Sequence, residues 1–226
     1  MASEVDICNL ALGHLGDNAT VASINPPEGS AQAEHCQRFY PIARDTLLEM
    51  SNWNFSMTRA VLAQVTQNWT EWKYAYALPA DMVNPVAVIP IDAYDDYATR
   101  FNPSETPYWQ HNYSPVTAAG RYVPQPYTIE TDASGNGVLF TNLETAVLRY
   151  SRKITDPTKF SPLFTITLSW HLASMLAGPI IKGDQGAAEA KRCAQMMAGW
   201  MAQAEASDAN QRNVHVEHIV SWTSGR

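Results

Sequence analysis

The chain of 226 residues is short of charge, and most of all of positive charge. Charged residues make up 16% of the sequence, against about 25% in an average soluble domain. The 15 Lys and Arg residues face 22 Asp and Glu residues, so the formal net charge is -7. This negative charge argues against a protein that binds nucleic acid through its phosphates. It does not argue against a protein that lines a channel through which DNA passes. The shortage of charge also indicates that partner chains cover part of the surface.

Cysteine is scarce as well, with only Cys8, Cys36 and Cys193. Their odd number and wide spacing predict a reduced, cytosol-made protein without a disulfide framework. Cys8 and Cys193 lie on apolar helical stripes, which is typical of buried, inert thiols. The opening residues Met1–Glu4 have neither a basic start nor an apolar run, so no signal peptide is predicted.

One stretch, Phe160–Ile181, has no Asp, Glu, Lys or Arg. It is long enough to span a bilayer. However, it contains six Ser, Thr and His residues, and Pro162 and Pro179 lie near its ends. This composition favours a helix that is buried on all sides within a folded protein.

Apolar periodicity predicts two helices in the first 50 residues. Ser3 and Asp6 form a capping-box pattern before the first helix, which ends by Gly16. The second helix begins near Ser30, and its apolar residues repeat at steps of four and three, as in helices that pack along one another. These residues are Cys36, Tyr40, Ala43, Leu47 and Met50. Pro41 removes one backbone hydrogen bond, so a kink or a break is predicted at this point.

The middle of the chain predicts short strands. Eight of the 14 prolines lie between Pro79 and Pro126, which forbids long helices there. Runs of β-forming residues predict strands at residues 60–65, 74–78, 86–89, 127–131, 138–140 and 145–150. Asp132–Gly137 has the composition of a hairpin turn. The stretch Asp92–Arg121 is rich in Tyr, Pro and Asn and is predicted to be an ordered loop.

Helical patterns return after residue 160. Ser161 and Pro162 have the chemistry of a helix start, and Gly183 is predicted to end this helix. A last helix begins near Asp184 and stops after Ser207, with an apolar stripe of Ala190, Cys193, Met197, Trp200 and Ala204. The chain is therefore predicted to be α+β, mainly an α-helical bundle with an inserted β-rich domain and an extended C-terminal tail. The predicted boundaries are 1–58 and 152–207 for the bundle, 59–151 for the insert and 208–226 for the tail.

The tail carries apolar residues but has no core of its own. These residues are Val214, Val216, Ile219, Val220 and Trp222. Apolar anchors in a terminal segment predict a docking peptide that orders on a partner. The alternative is that the tail packs back on its own domain.

The sequence predicts no catalytic residues, metal site or cofactor. Asp92, Asp95 and Asp96 lie near Tyr94 and Tyr97. Paired carboxylates could serve a glycosidase mechanism, and the two rings could stack on sugars. A solvated acidic loop is the simpler interpretation of the same residues.

The histidines carry no clearer signal for chemistry. His215 and His218 are three residues apart, but no other clear metal ligands accompany them. His14, His35 and His171 are single histidines on helical patterns, and we expect them to be structural residues with satisfied hydrogen bonds.

The order of several short motifs resembles a known family. The motifs are Ile7–Gly16, Cys36, Tyr40, Arg44-Asp45, Leu47-Leu48, Trp53-Asn54-Phe55, Arg59, Leu62, Tyr76–Asp81, Tyr150, Thr155-Asp156, Phe160–Phe164 and Leu172-Ala173. In this order and spacing they resemble the head-to-tail adaptor proteins of short-tailed phages, the tail tubular protein A group. The resemblance covers the chain from about residue 4 to about residue 206.

The resemblance implies a structural virion protein rather than an enzyme. Family members form a dodecameric ring in the tail, made in the bacterial host cytoplasm. The ring joins the portal protein above to the tail nozzle, tail tubular protein B, below. Its outer side often carries tail fibres, and DNA passes through its lumen without specific binding. The family pattern gives no catalytic residues, cofactor or membrane contact to carry over to this chain.

The composition agrees with such a role. Low charge and many aromatic residues suit subunits that cover one another in a ring, and a negative wall repels the phosphates of passing DNA. On this interpretation the tail reaches the portal through Val214–Trp222. The alternatives are a carbohydrate-binding or polysaccharide-degrading tail module that uses Asp92–Tyr97, and a membrane-disrupting protein that uses Phe160–Ile181.

Overall fold

The computed structural model describes residues 2–18, 20–66, 70–91 and 125–211. Within these ranges the chain mixes helices with antiparallel strands, which confirms the predicted α+β class. The helices are α1 (Glu4–His14), α2 (Ala31–Met50), α3 (Pro162–Ile181) and α4 (Gly183–Ala209). The strands are β1 (Met57–Val61), β2 (Gln64–Val65), β3 (Tyr74–Ala77), β4 (Met82–Pro90), β5 (Tyr127–Thr131), β6 (Gly137–Thr141) and β7 (Ala146–Arg152).

The described residues divide into two compact units. The helical unit lies within Met1–Met57 and Ser151–Gln211, and the β unit lies within Thr58–Tyr150. The first and last strands of the β unit, β1 and β7, are neighbours in one sheet. The two connections of the inserted segment therefore lie side by side.

The predicted caps at Ser3 and Ser161 are confirmed, and α2 begins near Ser30 as predicted. In α1, the Ser3 hydroxyl accepts a hydrogen bond from the Asp6 amide, and the Asp6 carboxylate accepts one from the Ser3 amide at 2.8 Å. Ser30 caps α2 and Ser161 caps α3 in the same way, each through its hydroxyl. Each cap satisfies an amide that has no partner within its helix. Gly16, with a φ of 75°, follows the end of α1.

Of the kink or break predicted near Gln37–Pro41, the break is wrong. α2 is one helix from Ala31 to Met50 with Pro41 inside it. Pro41 lies on the exposed side of the helix, while Tyr40, Ala43 and Leu47 on the other side are buried. One lost backbone bond faces solvent, and packing of the buried side holds the helix through it.

α3 is the central helix of the helical unit and contacts α1, α2 and α4. From Leu163 to Ala177 none of its residues is exposed, and Phe164, Leu168 and Leu172 are fully buried. By length and composition α3 could also cross a membrane. Its position among three other helices is that of a core helix, as the sequence predicts.

A single residue, Lys182, separates α3 from α4 and has a φ of 61°. Gly183 was predicted to end α3, but it is the first residue of α4. A Cβ on Gly186 would lie 3.0 Å from the carbonyl oxygen of Ala177, so this glycine permits close packing of the two helices. α4 ends at Ala209, two residues beyond the predicted end.

The β unit contains two sheets, with strand orders β1-β7-β4 and β2-β3-β6-β5. The predicted strand 60–65 is divided between them. The Leu62 amide donates to the Ala146 carbonyl in the first sheet, and the Ala77 amide donates to the Ala63 carbonyl in the second. The predicted hairpin is confirmed, since β5 and β6 are antiparallel with Thr131 opposite Gly137.

The main core of the β unit lies between strands of both sheets. Its buried members are Leu62, Tyr76, Val88, Leu139, Ala146, Leu148 and Tyr150. Two tyrosine hydroxyls are satisfied at its margin. That of Tyr76 donates to the Leu143 carbonyl at 2.8 Å, and that of Tyr150 donates to the Asp81 carboxylate at 3.0 Å.

Replacing Leu172 with Ala tests the role of α3. Leu172 is 0% exposed, so we expect the variant to lower the free energy of unfolding by about 2–5 kcal/mol through lost burial and a residual cavity. Chemical denaturation measures this change. The matched control is Leu10→Ala, at a leucine of α1 that is 45% exposed, with an expected change below about 1 kcal/mol. A loss below about 1 kcal/mol for Leu172→Ala would contradict the assignment of α3 as the core.

Candidate functional site

Several predicted site residues lie outside the described residues. They are the tail residues Val214, Val216, Ile219, Val220 and Trp222, the cluster Asp92–Tyr97, the predicted loop Asp92–Arg121, and the pair His215 and His218. The glycan-module alternative depends on these residues and stays a hypothesis. Within the described ranges, no group of three or more His, Cys, Asp or Glu side chains could hold a metal ion.

Four aromatic rings from two of the motifs meet in the helical unit. The Trp53 ring lies 5.0 Å from the Phe164 ring at 84°, and the Phe55 ring lies 5.0 Å from Phe164 at 77°. Phe160 packs on both Phe55 and Phe164. The Trp53 indole donates to the Leu47 carbonyl at 2.9 Å. Edge-to-face pairs of this kind favour one fixed geometry, so the cluster joins the end of α2 to the start of α3.

Asn54, between two of these rings, holds the C-terminal end of α4. Its amide donates to the Asp208 carboxylate at 3.0 Å, and its side-chain nitrogen donates to the Asp208 carbonyl at 2.5 Å. Burial raises the pKa of Asp208, and the hydrogen bond from Asn54 opposes this shift. This pair explains why α4 continues past Ser207 to Ala209. The described part of the chain ends two residues later, at Gln211.

A stacked group joins α1, α3 and α4. The His14 ring stacks on Trp170 with 3.6 Å between centroids, and its Nε2 lies 3.0 Å from the Ser169 hydroxyl. The Arg192 guanidinium lies 5.4 Å from the Trp170 ring centre and donates to the His14 carbonyl at 2.9 Å. Burial, with Arg192 nearby, lowers the pKa of His14. His14 is thus a packed residue of the helical unit with a hydrogen-bond partner for Nε2, in agreement with the structural role that the sequence predicts.

The expectation for His171 is wrong in one respect. The side chain is buried in α3, but neither ring nitrogen has a hydrogen-bond partner in the described part of the chain. The sequence shows that His171 falls among apolar residues, but not whether a partner reaches it. Burial lowers its pKa, so the folded protein favours the neutral ring.

The three cysteines are free and buried. This confirms the prediction that Cys8 and Cys193 lie in the core. A hydrogen bond with Cys36, together with burial, raises the pKa of the Cys8 thiol far above its usual value. A thiol that stays protonated is a poor nucleophile, so Cys8 has no feature of a reactive residue.

α4 has one buried stripe and a wide exposed surface. Gly186, Cys193 and Ala204 are buried, and Ala190, Met197 and Trp200 of the predicted stripe are half-buried. On the opposite side lies a set of exposed residues that we call the outer face. It consists of Gln195, Ala198, Gly199, Ala202 and Ala206. The outer face carries no charge, whereas exposed Asp184 and Lys191 lie on the same side of α4 nearer its start. The solvent side of an amphipathic helix is normally charged or polar along its whole length.

Gly199 is the residue of the outer face that the isolated chain does not explain. A Cβ at this position would meet nothing within 4 Å, and α4 continues regularly through it. A glycine inside a helix costs about 1 kcal/mol relative to Ala. At Gly186 this cost is offset, because the missing side chain lets α3 approach closely. At Gly199 no described residue makes such an approach. The outer face was not recognised from the sequence, although a glycine inside an alanine-rich helix was the available signal.

Other apolar side chains of the helical unit are exposed as well. Leu10 of α1 is exposed, as are Ile42 and Met50 of α2. Met50 was predicted to lie on the packed stripe of α2, but it is 50% exposed because the helix ends there. Single exposed apolar residues are normal, and the exposed side of α2 also carries Glu34, Arg38 and Glu49.

No protein-family model matches the chain, and no curated protein matches it either. Neither comparison therefore adds a function or a set of site residues. The candidate functional site is the outer face of α4, and this assignment is based on the structure of this chain alone.

The burial of His171 predicts a dependence of stability on pH. The pKa of His171 is lowered in the folded state, so folding favours the neutral ring. The stability that this ring contributes is fully present above the unfolded pKa of about 6.5. It is lost as the pH falls below that value, because the unfolded chain then binds the proton more readily. Both proteins are compared at about pH 7.5 and pH 5.5. On this change the wild type should lose about 1 kcal/mol more of its free energy of unfolding than His171→Leu does. Denaturant titrations at the two pH values measure this difference.

The matched control is Met175→Leu, at a half-buried residue of the same helix that has no titratable group. This variant should keep the wild-type difference between the two pH values. Equal losses of stability in His171→Leu and the wild type would show that protonation of His171 does not oppose folding.

Proposed function

We propose that this protein is a subunit of a head-to-tail adaptor ring, which joins the portal to the tail nozzle and surrounds the passing DNA. The observation that carries the proposal is the uncharged outer face of α4, with Gly199 in the middle of it. The proposal treats the protein as structural and assigns it no catalytic residue or cofactor.

The outer face has the composition of an interface. The central parts of protein interfaces are depleted of charge, and small residues allow two backbones to approach closely. A ring requires two different surfaces on each subunit, because each copy contacts its two neighbours head to tail. Exposed Leu10, Ile42 and Met50 on α1 and α2 supply apolar surface outside α4 that the neighbour in the ring can cover.

The motifs of the resemblance also support the proposal by their positions. Cys8, Tyr40, Trp53, Phe164 and Leu172 are all buried in the core of the helical unit. Part of the resemblance is thus carried by core residues of the bundle, while other motif residues, such as Leu10, Arg59 and Asp81, are exposed. A net charge of -7 suits a wall along which DNA passes without adhering.

In this proposal the tail docks on the portal. Residues 212–226 follow an α4 end that the Asn54–Asp208 pair holds in place. Ordering about 15 residues costs on the order of 15–30 kcal/mol of backbone entropy, so several buried anchors are required. We assign this role to Val214, Val216, Ile219, Val220 and Trp222, of which Trp222 is the largest.

Gly199→Leu tests the outer face. A leucine at this position has open space in the single chain and a better helix propensity than glycine, so the fold should be kept. In the ring it would push the neighbouring subunit away. We expect the variant to keep its helical circular dichroism and thermal stability but to lose ring assembly on a purified portal, measured by sedimentation velocity.

The control variant is Gln185→Leu, an exposed residue of the same helix. It lies 14 residues from Gly199, or about 21 Å along α4, and it should assemble as the wild type does. Normal ring assembly by Gly199→Leu would exclude the outer face from the subunit interface.

Truncation after Gln211 tests the tail while keeping Asp208 in place. We expect the truncated protein to keep the stability of the helical unit and to bind the portal at least about 100-fold more weakly, a loss of about 2.7 kcal/mol or more. The point variant Trp222→Ala should lose part of this affinity, and Ser224→Ala should lose none. Unchanged portal binding after truncation would show that the tail does not dock there.

A further inference from the structure

Two of the three cysteine thiols meet in the core of the helical unit. Cys8 lies in α1 and Cys36 lies in α2, and both side chains are 0% exposed. The Cys8 thiol donates a hydrogen bond to the Cys36 sulfur. The fold therefore brings into direct contact two thiols that the sequence places in different helices.

The pair lies where the two helices have little else in common. α1 and α2 each contact α3 far more extensively than they contact one another. A covalent bond between Cys8 and Cys36 would join α1 directly to α2 and would close the segment that connects them.

The hydrogen bond gives the two sulfurs different roles. It raises the pKa of the Cys8 thiol, together with burial, so Cys8 keeps its proton. It lowers the pKa of Cys36, against the effect of burial, because a sulfur that accepts a hydrogen bond is favoured as the thiolate. The thiolate is the form that reacts with an oxidant. Cys36 is therefore the sulfur that reacts first, and Cys8 lies beside it as the resolving thiol.

We propose that Cys8 and Cys36 form a disulfide when the protein meets a peroxide, and that this disulfide joins α1 to α2. The Cys36 thiolate attacks one oxygen of hydrogen peroxide and the O–O bond breaks. The hydroxide that leaves takes up the proton that Cys36 released and becomes water. The Cys8 sulfur then displaces the hydroxyl of the Cys36 sulfenic acid, and this hydroxyl leaves with the Cys8 proton as a second water. Two thiols and one peroxide thus give one disulfide and two waters.

Burial determines which oxidant the pair admits. Hydrogen peroxide is little larger than water, so brief opening at the start of α1 is enough to admit it. Cys193 is an internal control, because it is equally buried at 0% exposed but lies on α4 beside Arg192 and Glu189. The proposal does not depend on the adaptor ring, and it is tested on the protein alone.

The folded full-length protein is treated with hydrogen peroxide, which is then removed with catalase. The protein is unfolded in N-ethylmaleimide, which labels free thiols, and is digested with trypsin. The first Lys or Arg of the chain is Arg38, so Cys8 and Cys36 fall in one peptide, residues 1–38. We expect this peptide to lose both labels and to regain them when the treated protein is first reduced with dithiothreitol. The Cys193 peptide should keep its label throughout.

The thermal midpoint gives a second measurement. Oxidation of the wild type should raise the midpoint by at least about 5 °C, because the disulfide restricts the unfolded chain. Reduction should reverse this rise. Cys8→Ala and Cys36→Ala each lack one partner, so peroxide should not raise their midpoints.

Three results would overturn the proposal. They are retention of both labels on the wild-type peptide, equal loss of label at Cys193, and a thermal midpoint that oxidation does not raise. All three are measured on the wild type, so poor folding of either alanine variant leaves the test intact.

Discussion

The packing of Trp53 against Phe164 is the contact on which the helical unit depends. The two rings meet edge to face at 5.0 Å although they are more than 100 residues apart in the chain. The segment between them contains the whole β unit, so the helical unit can form only when its two parts are brought together. Bringing them together has an entropy cost that grows slowly with the length of the intervening chain, and burial of the aromatic cluster offsets it.

The same short segment also fixes α4. Asn54, next to Trp53, binds Asp208 near the end of that helix, while Gly186 lets the start of α4 pack closely on α3. A helix held at both ends presents its outer face on a rigid support, which is what a repeated subunit interface requires. The proposed ring contact and the proposed portal contact of the tail therefore both depend on the core around Trp53.

Local signals predicted much of the fold, and non-local packing decided the rest. The caps at Ser3 and Ser161 were predictable because each depends on residues within one turn. The break at Pro41 was wrong because packing of the buried side of α2 outweighs one lost hydrogen bond. The division of residues 60–65 between two sheets depends on Ala146 and Ala77, which lie far along the chain. Likewise, alanine and glycine fit both a helix interior and a helix surface, so the glycine within α4 was a signal whose exposed position only the fold shows.

The claim that this protein is an adaptor-ring subunit is tested most directly by particle mass. Mass photometry of the wild-type protein mixed with a portal ring from the same source should show the portal gaining the mass of twelve 25.0 kDa subunits. The protein alone gives the reference mass. A portal whose mass stays unchanged, beside a protein that remains monomeric, would contradict the account.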